Sequence, residues 1–448
     1  MHEVVRLTRR EMPGPPTRAV ASLVPGTLVV ATLGLAILVA LGVWQGQGYW
    51  EYSDGVYSLT ARLILEGREL YREVAGAQPP TLFYLAAGVL AVDDSPTAIR
   101  VAMAGYKAAT AVLVGVAVWR LTRRRDAAGG AALLSMVTPW SLREHGQLLP
   151  ETIAAPLVMA CALAASRPAT SWVAGALGAV AVTLKLAFVL PALTVVLVAR
   201  DVRRGSVAFI VTALLLAVGF GAAFGAPLWD NIVRAQADAG FASLRYVAGL
   251  WAQGGWNLLP LAVPAVLAWS HRARLEDPAL TRALLGALVG ALALLGTLLK
   301  EGSYLTVLVV VEPLLVCFAA CGFVAVLERC GAGATAAWRL RAATLGAVGV
   351  LGAGQAVSLL ASPADPELFT RPLAGSGPAR VLSDEEVTAR VEAIRACPPG
   401  TVYAGPPYLA FVAGVGIAGS QPDRFIIQAS PVLADFRAAA DGDGPVCP

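Results

Sequence analysis

The sequence predicts an all-α polytopic membrane protein, a bundle of about eleven transmembrane helices. Of its 448 residues, 57% are apolar and only 14% are charged, whereas a typical soluble domain is about one quarter charged. Apolar runs that approach the roughly 20 residues needed to span a bilayer recur along the chain, and arginines gather in alternate connections between them. Because these arginines lie in short, separate loops rather than in one patch, nucleic-acid binding is excluded.

Eleven apolar runs are the candidate spans, and several are shorter than a full crossing. They lie at Pro25–Trp44, Ala98–Trp119, Ala127–Trp140, Thr152–Ala165, Trp172–Thr183, Leu186–Ala199, Ser206–Phe224, Trp256–Trp269, Ala283–Leu299, Tyr304–Leu327 and Ala342–Ala361. The basic residues 1–24 precede the first run without a small-residue cleavage site, which predicts an uncleaved signal anchor.

The arginines also predict the orientation, because short cytoplasmic loops carry the excess of Lys and Arg. The arginine-rich connections contain Arg6, Arg9, Arg10 and Arg18, then Arg120 and Arg123–Arg125, Arg200, Arg203 and Arg204, Arg272, Arg274 and Arg282, and Arg329, Arg339 and Arg341. The N-terminus is therefore predicted to lie in the cytoplasm of a multi-pass plasma-membrane protein. Eleven crossings put residues 25–361 in the membrane domain and residues 362–448 outside the cell.

The external C-terminal segment is predicted to be a small α/β unit behind a linker at 363–378. Ser383 and Glu386 match a capping box, which predicts a helix over Ser383–Ala396. A strand in residues 398–405, a short helix in 406–414 and a second strand in 423–428 follow. Oxidising conditions outside the cell would allow a disulfide between Cys397 and Cys447.

The connection between the first two spans, residues 45–97, is unusually long for a loop without a function. It contains two amphipathic stretches, Asp54–Glu66 and Pro80–Val92, which are suited to helices that lie in the membrane interface. Asp54 stands where the first of these helices begins. Spacing alone leaves two roles open for it, an N-cap that bonds the free amides of the first turn or a catalytic carboxylate.

Several segments, taken in order, resemble the polyprenyl-phosphate-dependent glycosyltransferases of the GT-C class. The similarity is to the branch of protein mannosyltransferases and lipid A aminoarabinose transferases, glycosyltransferase family 39-like. The residues that carry it are Asp54, Tyr57, 61–67, Tyr71, Arg72 and 78–85 in the first external loop, followed by 143–165, 175–193 and 300–315.

The resemblance implies an enzyme that passes a sugar, with inversion, from a polyprenyl phosphate to an acceptor hydroxyl on the outer face of the membrane. The acceptor would be a glycan, lipid or protein of the cell envelope, and membrane lipids would surround the enzyme. Such a reaction needs a carboxylate as general base, for which Asp54 is the candidate. No cofactor is required. A divalent metal stays open, because Gly55 stands where relatives often have a second carboxylate.

The same reaction needs cationic groups where the phosphate leaves. The chain has 31 arginines but only three lysines, Lys107, Lys185 and Lys300, and none of the lysines lies in a predicted cytoplasmic loop. Lys300 and Tyr304 match the lipid-phosphate region of the family. The other predicted substrate-binding residues are Tyr57, Arg72, Arg143, Glu151 and Lys185.

Three of these residues have a structural alternative. Lys185 could instead extend towards lipid headgroups, Arg72 could anchor an interfacial helix, and Glu151 could interact only with the positive end of its own helix. At the level of the whole protein, two other classes stay open. A transporter or flippase would show inverted repeats and broken helices, and a non-catalytic envelope-assembly protein would tolerate loss of Asp54 and Lys300.

Overall fold

The computed structural model describes residues 52–144, 146–270, 275–331, 346–347, 349–355, 384–398, 402–442 and 446–447. The predicted span Pro25–Trp44, most of Ala342–Ala361, the linker 363–378, His145 and the N-terminal residues lie outside this part of the chain. The count of eleven spans and the orientation therefore stay predictions.

The described part of the chain is mostly helical, as the composition predicts. In chain order its longer helices are α1 (Tyr52–Leu65), α2 (Pro80–Leu90), α3 (Pro96–Thr122), α4 (Arg125–Met136), α5 (Pro139–Arg143), α6 (Pro150–Ala165), α7 (Ser171–Val182), α8 (Val189–Leu197), α9 (Val202–Phe224), α10 (Ala226–Trp229), α11 (Ala235–Asp238), α12 (Leu244–Ser270), α13 (Pro278–Ala293), α14 (Leu308–Gly331), α15 (Asp384–Arg395), α16 (Pro407–Ala413), α17 (Arg424–Ala429) and α18 (Ala434–Gly442). A π-helical turn, Asp230–Arg234, joins α10 to α11.

Four helices in the described residues are long and apolar enough to cross a membrane, so the chain is an integral membrane protein. They are Pro96–Thr122, Val202–Phe224, Pro278–Leu299 and Leu305–Glu328. The last two include the 3₁₀ turns Leu294–Leu299 and Leu305–Val307. Several of the other predicted spans form shorter apolar helices, at Pro150–Ala165, Pro168–Val182 and Leu186–Leu197.

The described residues 52–97 of the predicted first external loop contain the two predicted helices, as α1 and α2. Between them Tyr71 is buried and adopts a left-handed backbone conformation, with φ of 68°. Its hydroxyl donates to the carbonyl of Gln78 at 2.6 Å, and its amide donates to Val74 O at 2.7 Å. These bonds fold residues 71–78 into a compact turn that brings Gln78 and Pro79 next to α1.

The C-terminal segment packs directly on α1 and shares one hydrophobic core with the membrane helices. Helices α15 and α16 agree with the prediction. The second predicted strand, residues 423–428, is wrong: Asp423 accepts a hydrogen bond from Ile426 N at 3.2 Å and caps helix α17. The only described sheet pairs two-residue strands in parallel, β1 (Val402–Tyr403) and β2 (Val446–Cys447).

Cys397 is disulfide-bonded. The side chain of Cys447 lies outside the described residues, so its pairing with Cys397 stays a prediction.

Candidate active site

A cavity of about 870 Å³ opens between α1, the loops that precede α6 and α14, the helical segment 226–238 and the C-terminal segment. Its walls include five of the eight predicted site residues, Tyr57, Glu151, Lys185, Lys300 and Tyr304. Tyr52, Gln78, Gln236, Asp423 and Arg424 add further polar groups. Polar and charged side chains that are far apart in the sequence thus meet in one cavity.

Lys185 and Glu151 form an ion pair on one side of this cavity. The ammonium of Lys185 lies 2.7 Å from Glu151 Oε1, and Glu151 is 1% exposed. Glu151 lies in the first turn of α6, where the helix dipole favours a carboxylate. Lys185 lies in the turn between α7 and α8, so the two short helices bring it to the carboxylate. Lys185 therefore has a protein partner.

Lys300 also lines the cavity and lies in the turn between α13 and α14. The turn is held by an antiparallel bridge between Phe241 and Lys300. The ammonium donates a short hydrogen bond to Gln236 Oε1. Gly302 gives the turn its shape, because its φ is +75° and a Cβ there would lie 2.6 Å from the ring of Phe425. Burial and the nearby charge of Lys185 lower the pKa of Lys300, whereas Asp423 raises it.

Asp54 lies behind the cavity wall rather than on it. It is one of the first residues of α1, yet its Oδ1 accepts from the amide of Leu148 at 2.7 Å and bonds no amide of its own helix. The N-cap predicted as its structural role is therefore wrong. The bond fixes the loop that leads to Leu149 and Glu151. Burial raises the pKa of Asp54, and the charge of Arg100 and the Leu148 amide oppose the rise.

The packing around Gly55 leaves no space for a second carboxylate directly after Asp54. A Cβ on Gly55 would lie 2.3 Å from the backbone nitrogen of Tyr408 and 2.7 Å from its Cα. Helix α16 of the C-terminal segment thus occupies the space where a side chain would extend. Two arginines hold α16 there: Arg100 donates to the Tyr408 hydroxyl at 2.7 Å, and Arg62 donates to Phe411 O at 2.7 Å.

Arg143 is buried next to the cavity and contacts one of its lining residues. Its guanidinium lies 4.7 Å from the ring centroid of Trp140 and 4.8 Å from that of Tyr304, and Glu144 is within 3.3 Å. The short helix α5 carries Arg143, and its first amides donate hydrogen bonds to a carboxylate of α14. Glu312 accepts from Trp140 N at 3.0 Å and Ser141 N at 3.1 Å.

Glu312 was not among the predicted site residues, although a lone carboxylate within an apolar span is a signal of a functional or structural site. Lys107, for which the sequence suggested no role, lines the same small pocket as Glu312 and donates to Ser141 O. Glu312 and Lys107 therefore hold the backbone of α5 from inside the bundle, and α5 in turn orients Arg143 against Tyr304.

Arg72 lies apart from the cavity. It is exposed and pairs with the equally exposed Glu69 at 2.9 Å. Asp423, Arg424 and Tyr52, by contrast, were not predicted as site residues. No local motif indicates them, because the contact between Tyr52 and Pro422 joins positions 370 residues apart. In the described part of the chain no three His, Cys, Asp or Glu side chains are close enough to hold a metal ion.

Two solved structures of ArnT from Cupriavidus metallidurans are similar to this chain. One is bound to undecaprenyl phosphate, with a TM-score of 0.59, and the other is in the apo state, with a TM-score of 0.60. Each is 16% identical over 94% of this chain and 89% of the other. No family model matches the sequence, and no curated protein matches it. ArnT is a GT-C aminoarabinose transferase, so the predicted resemblance is confirmed at the level of the fold: this chain has an ArnT-like GT-C fold.

Proposed function

We propose that this protein is a membrane glycosyltransferase that transfers a sugar, with inversion, from a polyprenyl phosphate to an acceptor hydroxyl of the cell envelope. The observation that carries the proposal is the pair of lysines in one cavity. Lys185 and Lys300 line the same walls, and the charge of Lys185 lowers the pKa of Lys300. A phosphate bound between two ammonium groups lowers their electrostatic repulsion, because its negative charge attracts both.

The fold supports a lipid-linked donor. The similar ArnT structure is bound to undecaprenyl phosphate, and a cavity of about 870 Å³ is of the size that takes a sugar phosphate. In the proposed complex Lys300 and Lys185 bind the phosphate oxygens. Glu151 holds Lys185 in place through the 2.7 Å ion pair.

The reaction needs little more than positioning and charge. An acceptor hydroxyl attacks the anomeric carbon, the bond from that carbon to the phosphate oxygen breaks, and the lysines stabilise the charge that develops on the leaving phosphate. A carboxylate must take the hydroxyl proton. The sequence predicts Asp54 for this task, and that assignment stays a prediction. Tyr57 and Tyr304, which line the cavity, offer aromatic faces and hydroxyls to the sugar.

The proposal includes the orientation predicted from the arginines: about eleven spans, a cytoplasmic N-terminus and an external C-terminal segment in the plasma membrane. Reporter fusions at the first external loop and in the C-terminal segment test it. If the fusions place residues 45–97 inside the cell, the site loses access to an external donor and the proposal is overturned.

The activity test uses membranes that contain the protein, a panel of radiolabelled undecaprenyl-phosphate hexoses and pentoses, and extracted envelope glycan, lipid and protein as acceptors. Transfer above that of control membranes is expected with at least one donor. Lys300→Met should lower transfer and undecaprenyl-phosphate binding by roughly 10- to 100-fold, the value of a hydrogen bond to a charged group. Arg68→Met is the matched control, because it removes an exposed cation in the same loop as Arg72.

If Lys300→Met transfers sugar as the wild type does, Lys300 does not bind the donor phosphate and that part of the proposal is wrong. No transfer with any donor, together with no binding of undecaprenyl phosphate, would favour a transporter or an assembly protein.

A further inference from the structure

The side chain of Gln236, in α11, lies between Lys300 and the compact turn 71–78 of the first external loop. Its Oε1 accepts the short hydrogen bond from the ammonium of Lys300, and its Nε2 donates to Ala77 O at 2.8 Å. An ammonium can only donate and a carbonyl oxygen can only accept, so only this orientation of the amide satisfies both partners. Gln236 therefore ties a cation of the cavity to a different segment of the cavity wall.

The π-helical turn before α11 accounts for the position of Gln236. Asn231, in this turn, bonds the same loop: its Oδ1 accepts from Gly76 N at 3.1 Å and its Nδ2 donates to Tyr71 O at 3.4 Å. Residues five apart in an α-helix point about 140° away from each other. Hydrogen bonds in a π turn join residues five apart rather than four, which widens the turn and brings Asn231 and Gln236 towards the same side.

The two elements that Gln236 connects are themselves anchored. The side chain of Gln421 accepts from Ala75 N at 2.9 Å and donates to Glu73 O at 2.6 Å, so the C-terminal segment holds the turn 71–78. At the end of α11, Asp238 Oδ2 accepts from the hydroxyl of Ser430 at 2.6 Å. A side chain whose supports are fixed in this way can hold its own partner in one direction.

The partner of Gln236 is a flexible side chain whose direction matters. Lysine has three donors at the end of a four-carbon stem, and Gln236 takes one of the three donors of Lys300, which constrains where the other two point. A neutral amide does this without cancelling the positive charge. Lys185, in contrast, is paired with the carboxylate of Glu151. The two lysines of the cavity are thus held by different chemistry, and Lys300 keeps more of its charge for an anion.

We propose that Gln236 is a positioning residue for the donor phosphate, which directs the ammonium of Lys300 into the cavity and leaves its charge available. This inference rests on the proposed function, in which Lys300 binds the phosphate. Gln236 acts through Lys300 and takes no part in making or breaking bonds.

The experiment measures equilibrium binding of undecaprenyl phosphate to purified full-length protein, from neutral to alkaline pH. Gln236→Met removes both hydrogen bonds, and Gln236→Glu replaces the neutral acceptor by a charged one. Gln428→Met is the matched control, because Gln428 is an exposed glutamine that lines the same cavity. The charges of Lys185 and Asp423 act on Lys300 in every variant. The other titratable or charged groups that line the cavity are also unchanged: Tyr52, Tyr57, Glu151, Tyr304 and Arg424.

The two variants at position 236 should change the pH dependence in opposite directions. Gln236→Met should weaken binding at neutral pH by roughly 3- to 10-fold, the net value of one hydrogen bond. It should also move the alkaline loss of binding to lower pH, because the ammonium loses an acceptor that favours its charged form. Gln236→Glu should move that loss to higher pH, because a carboxylate raises the pKa of the ammonium. It should still weaken binding at neutral pH, since it offsets the charge offered to the phosphate. Gln428→Met should match the wild type.

A structural disturbance would shift both variants in the same direction, so shifts of the same sign would overturn the inference. It would also be overturned if Gln236→Met bound the lipid as the wild type does while Lys300→Met lost binding, and the proposed function would then stand. If Lys300→Met also binds as the wild type does, the phosphate site of the proposed function is itself wrong.

Discussion

Substitution of Gly55 by alanine should release the C-terminal segment from the membrane domain. The new Cβ would lie 2.3 Å from Tyr408 N, whereas ordinary contacts begin at 3.4 Å, so α1 and α16 would have to separate by about 1 Å. The obstructing atoms belong to the backbone, and no side-chain rotation can relieve the clash. Separation would also stretch the bonds from Arg100 and Arg62 to α16.

The expected magnitude follows from two opposing terms. Overpacking of this kind costs up to about 3 kcal/mol, and alanine is favoured over glycine in a helix interior by about 1 kcal/mol. The net loss of stability for Gly55→Ala is therefore about 2 kcal/mol. Gly88→Ala in α2 is the matched control, since no heavy atom lies within 4 Å of the added Cβ. It should stabilise the protein by up to about 1 kcal/mol.

Thermal unfolding of both variants in detergent, followed by circular dichroism, measures the sign of each effect. Limited proteolysis of the C-terminal segment measures its release, which should occur in Gly55→Ala alone. If Gly55→Ala unfolds at the wild-type temperature and its C-terminal segment stays protected, α16 does not pack on α1 as described, and the explanation for the missing second carboxylate is wrong.

Three further predictions concern the cavity and the helix behind it. The carboxylate of Asp423 should take up a proton as the pH is lowered through about 6, because burial raises its pKa; an infrared titration of carboxyl bands checks this, and Asp423→Asn should lack that band. The titratable groups whose charge acts with that of Asp423 are Tyr52 and Lys300. Tyr52→Phe should lower stability by about 1–3 kcal/mol, because Pro422 and Arg424 lose their buried partner, and faster proteolysis of the C-terminal segment would reveal it. Glu312→Ala should cost about 3–5 kcal/mol, since it leaves the amides of Trp140 and Ser141 without their acceptor and removes one of the two carboxylates near Lys107; thermal unfolding measures this loss, and Glu312→Gln should be milder.

Most of the helices could be predicted because hydrophobic runs and their interruptions are local properties. The sequence also indicated Lys185 and Lys300, since lysine is rare in this chain and both lie at the ends of apolar runs. Their meeting in one cavity could not be derived from either run alone. It depends on how the short helices α7 and α8 turn and on the bridge between Phe241 and Lys300.

The errors have identifiable physical causes. The apolar pattern of residues 423–428 fits a strand or a short helix equally well, and the cap at Asp423 decides for the helix. An N-cap was one of the two roles that spacing left open for Asp54, but its carboxylate accepts the amide of Leu148 in a distant loop instead. The contributions of Asp423 and Tyr52 arise from packing between segments 370 residues apart, which local patterns do not encode.

The hydrogen bond between Tyr52 and Pro422 also bears on when the protein becomes competent during its synthesis. The wall around Tyr52 is synthesised early, and the wall around Pro422 is synthesised only after the last predicted transmembrane helix. The cavity is therefore incomplete until synthesis is nearly finished. The membrane helices can assemble first, and the closing step is the docking of a late segment on an early one. Chains that stall or are cut before residue 421 would insert into the bilayer with an open cavity.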